Sequence, residues 1–411
     1  MTDASAEAAS AVAAAHEREW AFVLAATARV TGDLDAAEDC VQDAYAQALV
    51  HWTRGGVPAK PGAWLTTVAT RRALELRRRA ATAARKLPLL VPDPVDELPY
   101  DFPDERLRLV FTCCHPALAP EAQVALTLRL VCGLSTVEVA RALLVSETTM
   151  QARITRAKKK IAATGIPYRV PSPSELPERL ASVLDVVHLV FSSGYTAASG
   201  RQLTRPELAE RGIQLARMLR LLLPGEREVS GLLALMLLTD ARRAARADAA
   251  GRLVRLEDQD RSLWDRALIA EAEALVEQSL SAPPAGRYAL MAAIAALHDE
   301  ALTWAATDWP QIVALYDLLL AGWPSPVVAL NRAVALSFVD GAAAALAAVD
   351  ELGADPRLAA YPYLAATRAE LLRQLGETDA AAAAYDEALL LTSNEVEAEF
   401  LTRRRAALGS P

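Results

Sequence analysis

The chain has 411 residues and a mass of 44.0 kDa, with 53% hydrophobic, 23% charged and 5% aromatic residues. This length exceeds what one hydrophobic core usually organises and the composition is too apolar for disorder, so a single small module and a disordered chain are excluded. No apolar run approaches the roughly 18 to 20 residues that span a bilayer, and the N-terminus MTDASAEAAS lacks a basic start. We therefore expect no membrane segment, no signal peptide and a cytoplasmic location.

The cysteines and histidines do not predict a metal site. Cys40, Cys113, Cys114 and Cys132 include no C-x-x-C pair, and the five histidines are scattered. We expect no cofactor, no metal and no disulfide framework. The vicinal Cys113 and Cys114 leave redox sensing open as an alternative, but packing of buried small side chains is the favoured interpretation.

The net charge of −8 is unevenly distributed. Residues 1–170 hold 21 Lys and Arg against 19 Asp and Glu, a net charge of +2, whereas the remainder has a net charge of −10. Two basic runs, at 71–86 and 153–160, each close a helical segment. Basic runs are often only solvated faces, but two in such positions favour phosphate-binding surfaces.

The pattern along the chain predicts an all-α fold. Apolar residues recur at three- and four-residue spacing, and good helix formers dominate. Proline-rich breaks fall at 87–103 and 165–177, and a weaker break falls at 281–286. We predict compact units at 1–86, 104–164, 177–282 and 286–411, with a linker at 87–103.

Two helices are predicted in the first unit. Residues 33–50 (DLDAAEDCVQDAYAQALV) place carboxylates on one face, and on the other Ala37, Val41, Ala44, Tyr45 and Leu49. Crowded carboxylates are tolerated only if they are solvated or met by bases. Residues 63–79 (AWLTTVATRRALELRRR) form a helix with an aromatic head and a basic tail.

The second unit carries a predicted helix-turn-helix. Ser135 with Glu138 forms a capping box that starts a helix at Thr136. Residues 144–146 make the turn, and Ser146 caps a second helix. Its buried stripe is predicted to be Met150, Ile154, Ala157 and Ile161.

The run AEDCVQ at 37–42, followed by Trp64-Leu65 and the basic tail, resembles region two of an extracytoplasmic-function (ECF) sigma factor. That resemblance implies that the acidic helix docks on the β′ clamp of RNA polymerase core through Asp35, Glu38, Asp39 and Gln42. It also implies that the basic helix holds the melted −10 strand through Trp64, Arg71, Arg72, Arg77 and Arg78. Trp64 is equally well read as a core residue. Arg71 and Glu75 depart from the family's usual Asn and Asp, so the −10 base preference stays open.

The stretch LSTVEVARALLVSETTMQARITRAKKKI at 134–161 resembles sigma region four. This implies contact with the −35 element and with the β flap of the polymerase core. The implied DNA-binding residues are Thr148, Thr149, Gln151, Arg153, Arg156, Lys158 and Lys159. The first residues of a recognition helix meet base edges, whereas the later bases suit phosphates. An ordinary helical hairpin is the alternative.

The remainder shows no catalytic constellation, because His188, His298, Asp240, Asp258 and Asp260 are too dispersed. Residues 368–391 resemble a tetratricopeptide (TPR) hairpin, and 330–352 resembles a weaker copy. The whole chain resembles ECF sigma factors with a long helical C-terminal extension, which implies that the extension regulates the sigma part in cis or through a protein partner.

These patterns predict a non-enzymatic RNA polymerase sigma factor that binds polymerase core and promoter DNA. The alternative is a helix-turn-helix transcriptional regulator with a TPR-like signal-receiving domain. The acidic helix separates the two, because an ordinary regulator has no need of it. An all-α enzyme is disfavoured, since no nucleophile motif, metal spacing or phosphate loop is present.

Overall fold

The computed structural model describes residues 3–84, 105–197 and 199–409, and within these ranges it contains eighteen α-helices and no β-strand. The all-α prediction is confirmed. The chain forms two compact units, 1–189 and 190–411. The predicted linker at 87–103 lies outside the described residues.

The chain begins with three long helices, α1 (Asp3–Thr31), α2 (Leu34–Gly55) and α3 (Pro61–Ala84), which pack against one another. Asp33 caps α2, since its carboxylate accepts a hydrogen bond from the backbone N–H of Ala36 at 2.7 Å.

The apolar face of α2 follows the sequence prediction with one difference. The predicted residues Ala37, Val41, Ala44 and Tyr45 are buried. Leu49, expected among them, is 44% exposed. The buried face continues through Trp52 instead, because a straight helix returns to the same side after three or four residues.

The next group contains α4 (Arg106–Cys113), α5 (Pro120–Leu126), a π-helical turn (Thr127–Val131), α6 (Thr136–Ala142) and α7 (Glu147–Thr164). The capping box forms as predicted: the Ser135 hydroxyl accepts from the Glu138 N–H, and the Glu138 carboxylate accepts from the Ser135 N–H. Ser146 caps α7, whose buried residues are the predicted Met150, Ile154, Ala157 and Ile161. The helix-turn-helix prediction is confirmed.

Leu144, in the turn between α6 and α7, has a left-handed backbone with φ of 53° and is half exposed. A side chain in this conformation costs roughly 1 kcal/mol, and glycine avoids that cost. We expect Leu144→Gly to raise the free energy of unfolding by about 0.5 to 1 kcal/mol, measured by denaturant titration. A loss of stability would mean that the Leu144 side chain packs in solution.

The boundary between the two units falls inside α8 (Leu176–Tyr195). The second unit then contains α9 (Pro206–Leu222), α10 (Arg227–Ala241), α11 (Arg266–Ser279) and α12 (Arg287–Glu300). Twelve of the fifteen residues of α10 are buried, and α10 packs against α9, α11 and α12. It is therefore the central helix of this half.

The unit continues with helices that each pack against the next along the chain. They are α13 (Trp309–Gly322), α14 (Pro326–Val339), α15 (Ala342–Leu352), α16 (Pro362–Gln374), α17 (Thr378–Leu391) and α18 (Glu395–Ala406). Gly376 joins α16 to α17 with φ of 80°, and Gly341 joins α14 to α15 with φ of 87°. The small and aromatic side chains of the predicted hairpin, Ala369, Ala381, Tyr385 and Ala388, share one buried cluster.

The described helices include none that is both long and apolar enough to cross a membrane. Within the same ranges, no three His, Cys, Asp or Glu residues gather where they could hold a metal ion. Cys113 and Cys114 are fully buried, and burial raises the pKa of Cys114 to about 12. Both positions are as the packing interpretation expects, and a buried thiol with a raised pKa is a poor nucleophile.

Candidate functional site

The predicted polymerase-binding residues on α2 differ in exposure. Asp35, Asp39 and Gln42 are exposed, and the Asp35 side chain retains 68% of its accessible surface. The Glu38 side chain retains only 6%. Three of the four side chains therefore face solvent, and the fourth is covered by protein.

Glu38 is covered by two bases from the second helical group. Arg129, in the π-helical turn, places its Nη2 atom 2.7 Å from Glu38 Oε1. Lys158 of α7 forms an ion pair with Glu38 and a second one with Asp35, whose Oδ1 atom is 2.6 Å from the Lys158 Nζ atom. Glu38 and Asp35 are thus met by bases.

The environment of Lys158 keeps it charged. Burial opposes the ammonium charge, but the attraction of Glu38 and hydrogen bonds to Asp35 and Glu38 outweigh it, so the pKa of Lys158 is raised. The pair of carboxylates and the two bases carry no net charge together, which is the arrangement that a buried ion cluster requires.

Other contacts extend this cluster into a continuous contact within the first unit. The Trp20 indole N–H of α1 donates to the backbone oxygen of Leu130 at 3.0 Å. The Tyr168 hydroxyl donates to the backbone oxygen of Ala25 at 2.9 Å. We call the contact of α1 and α2 with the segment 105–170 the internal interface.

One glycine lets the two sides of this interface approach each other closely. Gly133 has φ of 73°, and a Cβ atom there would stand 3.0 Å from the Trp20 ring. Any other residue would be strained in this backbone conformation and would press its Cβ atom against the ring.

The predicted −10 residues lie along α3. Trp64 is half-buried and packs edge-on against Trp52, with ring centroids 5.7 Å apart. Arg71, Arg77 and Arg78 are exposed. Arg72 is partly covered, and its ion pairs reach Asp43 at 3.5 Å and Glu75 at 3.6 Å. The exposed arginines provide a positive surface that suits a nucleic-acid backbone.

The predicted −35 residues lie along α7. Thr148, Thr149 and Gln151 are exposed at its first turns, and the hydroxyls of both threonines lie within 3.0 Å of the Ser146 hydroxyl. Arg153 is half-buried, whereas Arg156 and Lys159 are exposed. Lys158 is the exception, since its side chain is only 10% exposed within the internal interface.

Of the dispersed polar residues of the second unit, Asp240 is buried and His298 is partly buried, whereas Asp258 and Asp260 are exposed. Asp299 is buried 3.4 Å from Arg242, and burial raises the pKa of Asp299 to about 6. Burial together with Arg242 and Arg261 lowers the pKa of the neighbouring His298 to about 4. These groups form a buried polar cluster.

Arg129 was not among the residues predicted from the sequence. This arginine lies inside the apolar run LTLRLV at 126–131, and its guanidinium also lies 5.9 Å from the centre of the Trp20 ring. A single arginine in an otherwise buried run is the one signal that could have predicted a buried ionic partner.

The parts of the chain that carry these surfaces match known protein families. Residues 17–82 match Sigma-70 region 2, and residues 108–161 match Sigma-70, region 4. Residues 179–280 match a family of unknown function (DUF6596). No solved structure gives a significant match.

The chain belongs to the sigma-70 family: it is an RNA polymerase sigma factor with a helical C-terminal extension, and thus a transcription initiation factor, not an enzyme. It is 42% identical over 387 residues to "Uncharacterized protein R00370" of Rhizobium meliloti (strain 1021). The match covers 92% of this chain and 91% of that relative.

Proposed function

We propose that this protein is an ECF-type sigma factor that binds polymerase core through α2, the melted −10 strand through α3 and the −35 element through α7. The observation that carries the proposal is the clustering of exposed charge by helix. Carboxylates face outward from α2, arginines lie along α3, and polar side chains lie in the first turns of α7. Each surface matches the chemistry of one proposed partner in the cytoplasm.

On α2, the proposed contact with the β′ clamp uses the exposed Asp35, Asp39 and Gln42, together with Glu38 once its internal partners release it. On α3, Arg71, Arg77 and Arg78 would neutralise the phosphates of a single strand, with Trp64 near the junction. Stacking on a base would require Trp64 to leave part of its contact with Trp52, because its ring is already half-covered.

On α7, the proposed contacts divide by position. The first turns of a recognition helix reach base edges. In α7 these turns carry Thr148, Thr149 and Gln151, and Arg153 follows half a turn later. Arg156 and Lys159 lie further along and suit phosphates, which position the protein without specifying sequence.

The C-terminal extension is proposed to regulate the sigma part, in cis or through a protein partner held by its TPR-like hairpins. The support is the pairing of α14 with α15 and of α16 with α17, each across a glycine with positive φ. Stacked helical hairpins of this kind form extended binding surfaces.

Run-off transcription with purified polymerase core tests the proposal on a pool of genomic fragments. We expect initiation that depends on the full chain, and a truncation after Tyr195 gives the sign of the extension's control. Absence of both initiation and core binding would favour the helix-turn-helix regulator instead.

Arg153 is the residue proposed to read a base edge in the −35 element. We expect Arg153→Ala to weaken promoter binding by about 1 to 3 kcal/mol, and chiefly on fragments with the preferred −35 sequence. Arg156→Ala is the matched control and should weaken binding to all sequences alike. An equal loss on every sequence for Arg153→Ala would make Arg153 a phosphate contact.

A further inference from the structure

The proposed polymerase-binding face of α2 already has a partner within the chain. Glu38 and Asp35 face Arg129 and Lys158 of region 4, so two carboxylates meet two bases. A basic surface on another protein that sought the same carboxylates would have to displace these side chains. The face is therefore occupied in this conformation.

The contact between region 4 and region 2 is specific, because directional contacts hold it at several separate points. The Trp20 indole bonds to Leu130, and the Tyr168 hydroxyl bonds to Ala25. Gly133 lies against the Trp20 ring, where an added Cβ atom would stand only 3.0 Å from it. Hydrogen bonds and close packing of this kind select one arrangement of region 4 on region 2.

The internal interface is nevertheless imperfectly satisfied. Glu38 Oε1 accepts no hydrogen bond from the described groups, so its contact with Arg129 is an ion pair without an aligned N–H. A solvent-open cleft of about 320 Å³ lies beside Asp35, Lys158 and Tyr168. A buried oxygen without a hydrogen bond is costly. Such an interface is suited to opening.

We propose that the acidic face of α2 docks on the basic surface of region 4 formed by Arg129 and Lys158, and that polymerase core competes with region 4 for it. This inference rests on the proposed function, because the competitor is the polymerase core assigned there. The same contact removes Lys158 from the proposed −35 surface. Opening of the internal interface therefore exposes a polymerase-binding and a DNA-binding group together.

The competition lowers the measured affinity of the protein for polymerase core. Only the open form offers Glu38 to the core, so the apparent dissociation constant is the intrinsic one divided by the open fraction. A change that destabilises the closed form, without altering the acidic face, must therefore tighten binding. Arg129 allows such a change, because it belongs neither to the proposed polymerase-binding surface nor to the proposed DNA-binding surfaces.

The closed contact is tested directly by zero-length carbodiimide crosslinking of the full chain, read by mass spectrometry. This reagent joins an amine to a carboxylate in contact with it, so we expect a crosslink from Lys158 to Glu38 or Asp35 in the free protein. Saturating polymerase core should remove it. A crosslink that is absent from the free protein, or that persists in the polymerase complex, would overturn the proposal.

The competition is tested by core binding of Arg129→Gln, measured without DNA. We expect this variant to bind core about tenfold more tightly than the wild type. Arg141→Gln is the matched control, because it removes the same charge from an exposed position in region 4, and it should bind like the wild type.

Tyr168→Phe provides a second variant in case Arg129→Gln does not fold. It deletes one hydroxyl from the internal interface and keeps the ring, so we expect binding about threefold tighter. Unchanged binding by folded variants would contradict competition. Absence of core binding by every form would instead contradict the proposed function, while the crosslink in the free protein would still decide whether the closed contact exists.

Discussion

Glu38→Lys is expected to lower the free energy of unfolding of the unit 1–189 by about 3 to 5 kcal/mol. The substitution puts a third positive charge between Arg129 and Lys158, where the carboxylate retains only 6% of its accessible surface. Breaking a buried ion pair is strongly destabilising, since Arg129 loses its carboxylate and Lys158 keeps only Asp35. Calorimetry of the full chain measures the effect, because two units need not unfold in a single transition.

Asp39→Lys is the matched control for that experiment. Asp39 is the next residue on α2 and is exposed, so the same charge reversal should change stability by no more than about 0.5 kcal/mol. Equal stabilities of the two variants would mean that Glu38 is solvated in the free protein, which would also remove the basis for competition at α2.

Gly231→Ala is expected to destabilise the second unit by about 3 kcal/mol. Gly231 lies in α10 where that helix crosses α12, and a Cβ atom there would stand 2.6 Å from the backbone nitrogen of Ala289. Backbone cannot rotate away as a side chain does, so the two helices must separate and loosen the packing around α10. Thermal unfolding followed by circular dichroism measures the loss.

Gly225→Ala is the control for the crossing of α10 and α12. A Cβ atom at Gly225 would meet nothing within 4 Å, so the same added methyl group should leave stability within about 0.5 kcal/mol. If Gly231→Ala proved equally harmless, the two helices would have to lie further apart in solution.

The sequence predicted the features that depend on residues close together in the chain. The capping box of Ser135 and Glu138, the cap at Ser146 and the buried stripe of α7 all appear as expected. Each depends on spacings of three or four residues, which a helix converts directly into contacts.

The burial of Glu38 could not be predicted in this way. Glu38 lies at the border of the acidic and apolar faces of α2, and its helix alone does not decide whether it is solvated. Its bases come from a π-helical turn and from α7, at Arg129 and at Lys158, which is 120 residues away. A contact between distant segments leaves no periodic signal, so the pattern indicated carboxylates but not their partner.

The division of the chain at Leu189 also sets an order in time. The sigma unit is complete within the first 189 residues, so it leaves the ribosome before the extension has been made. At about 5 to 20 residues per second, synthesis of the rest takes about 10 to 40 seconds. Each newly made molecule thus passes through an interval in which its sigma regions exist without the extension, and the control proposed for the extension begins only after that interval.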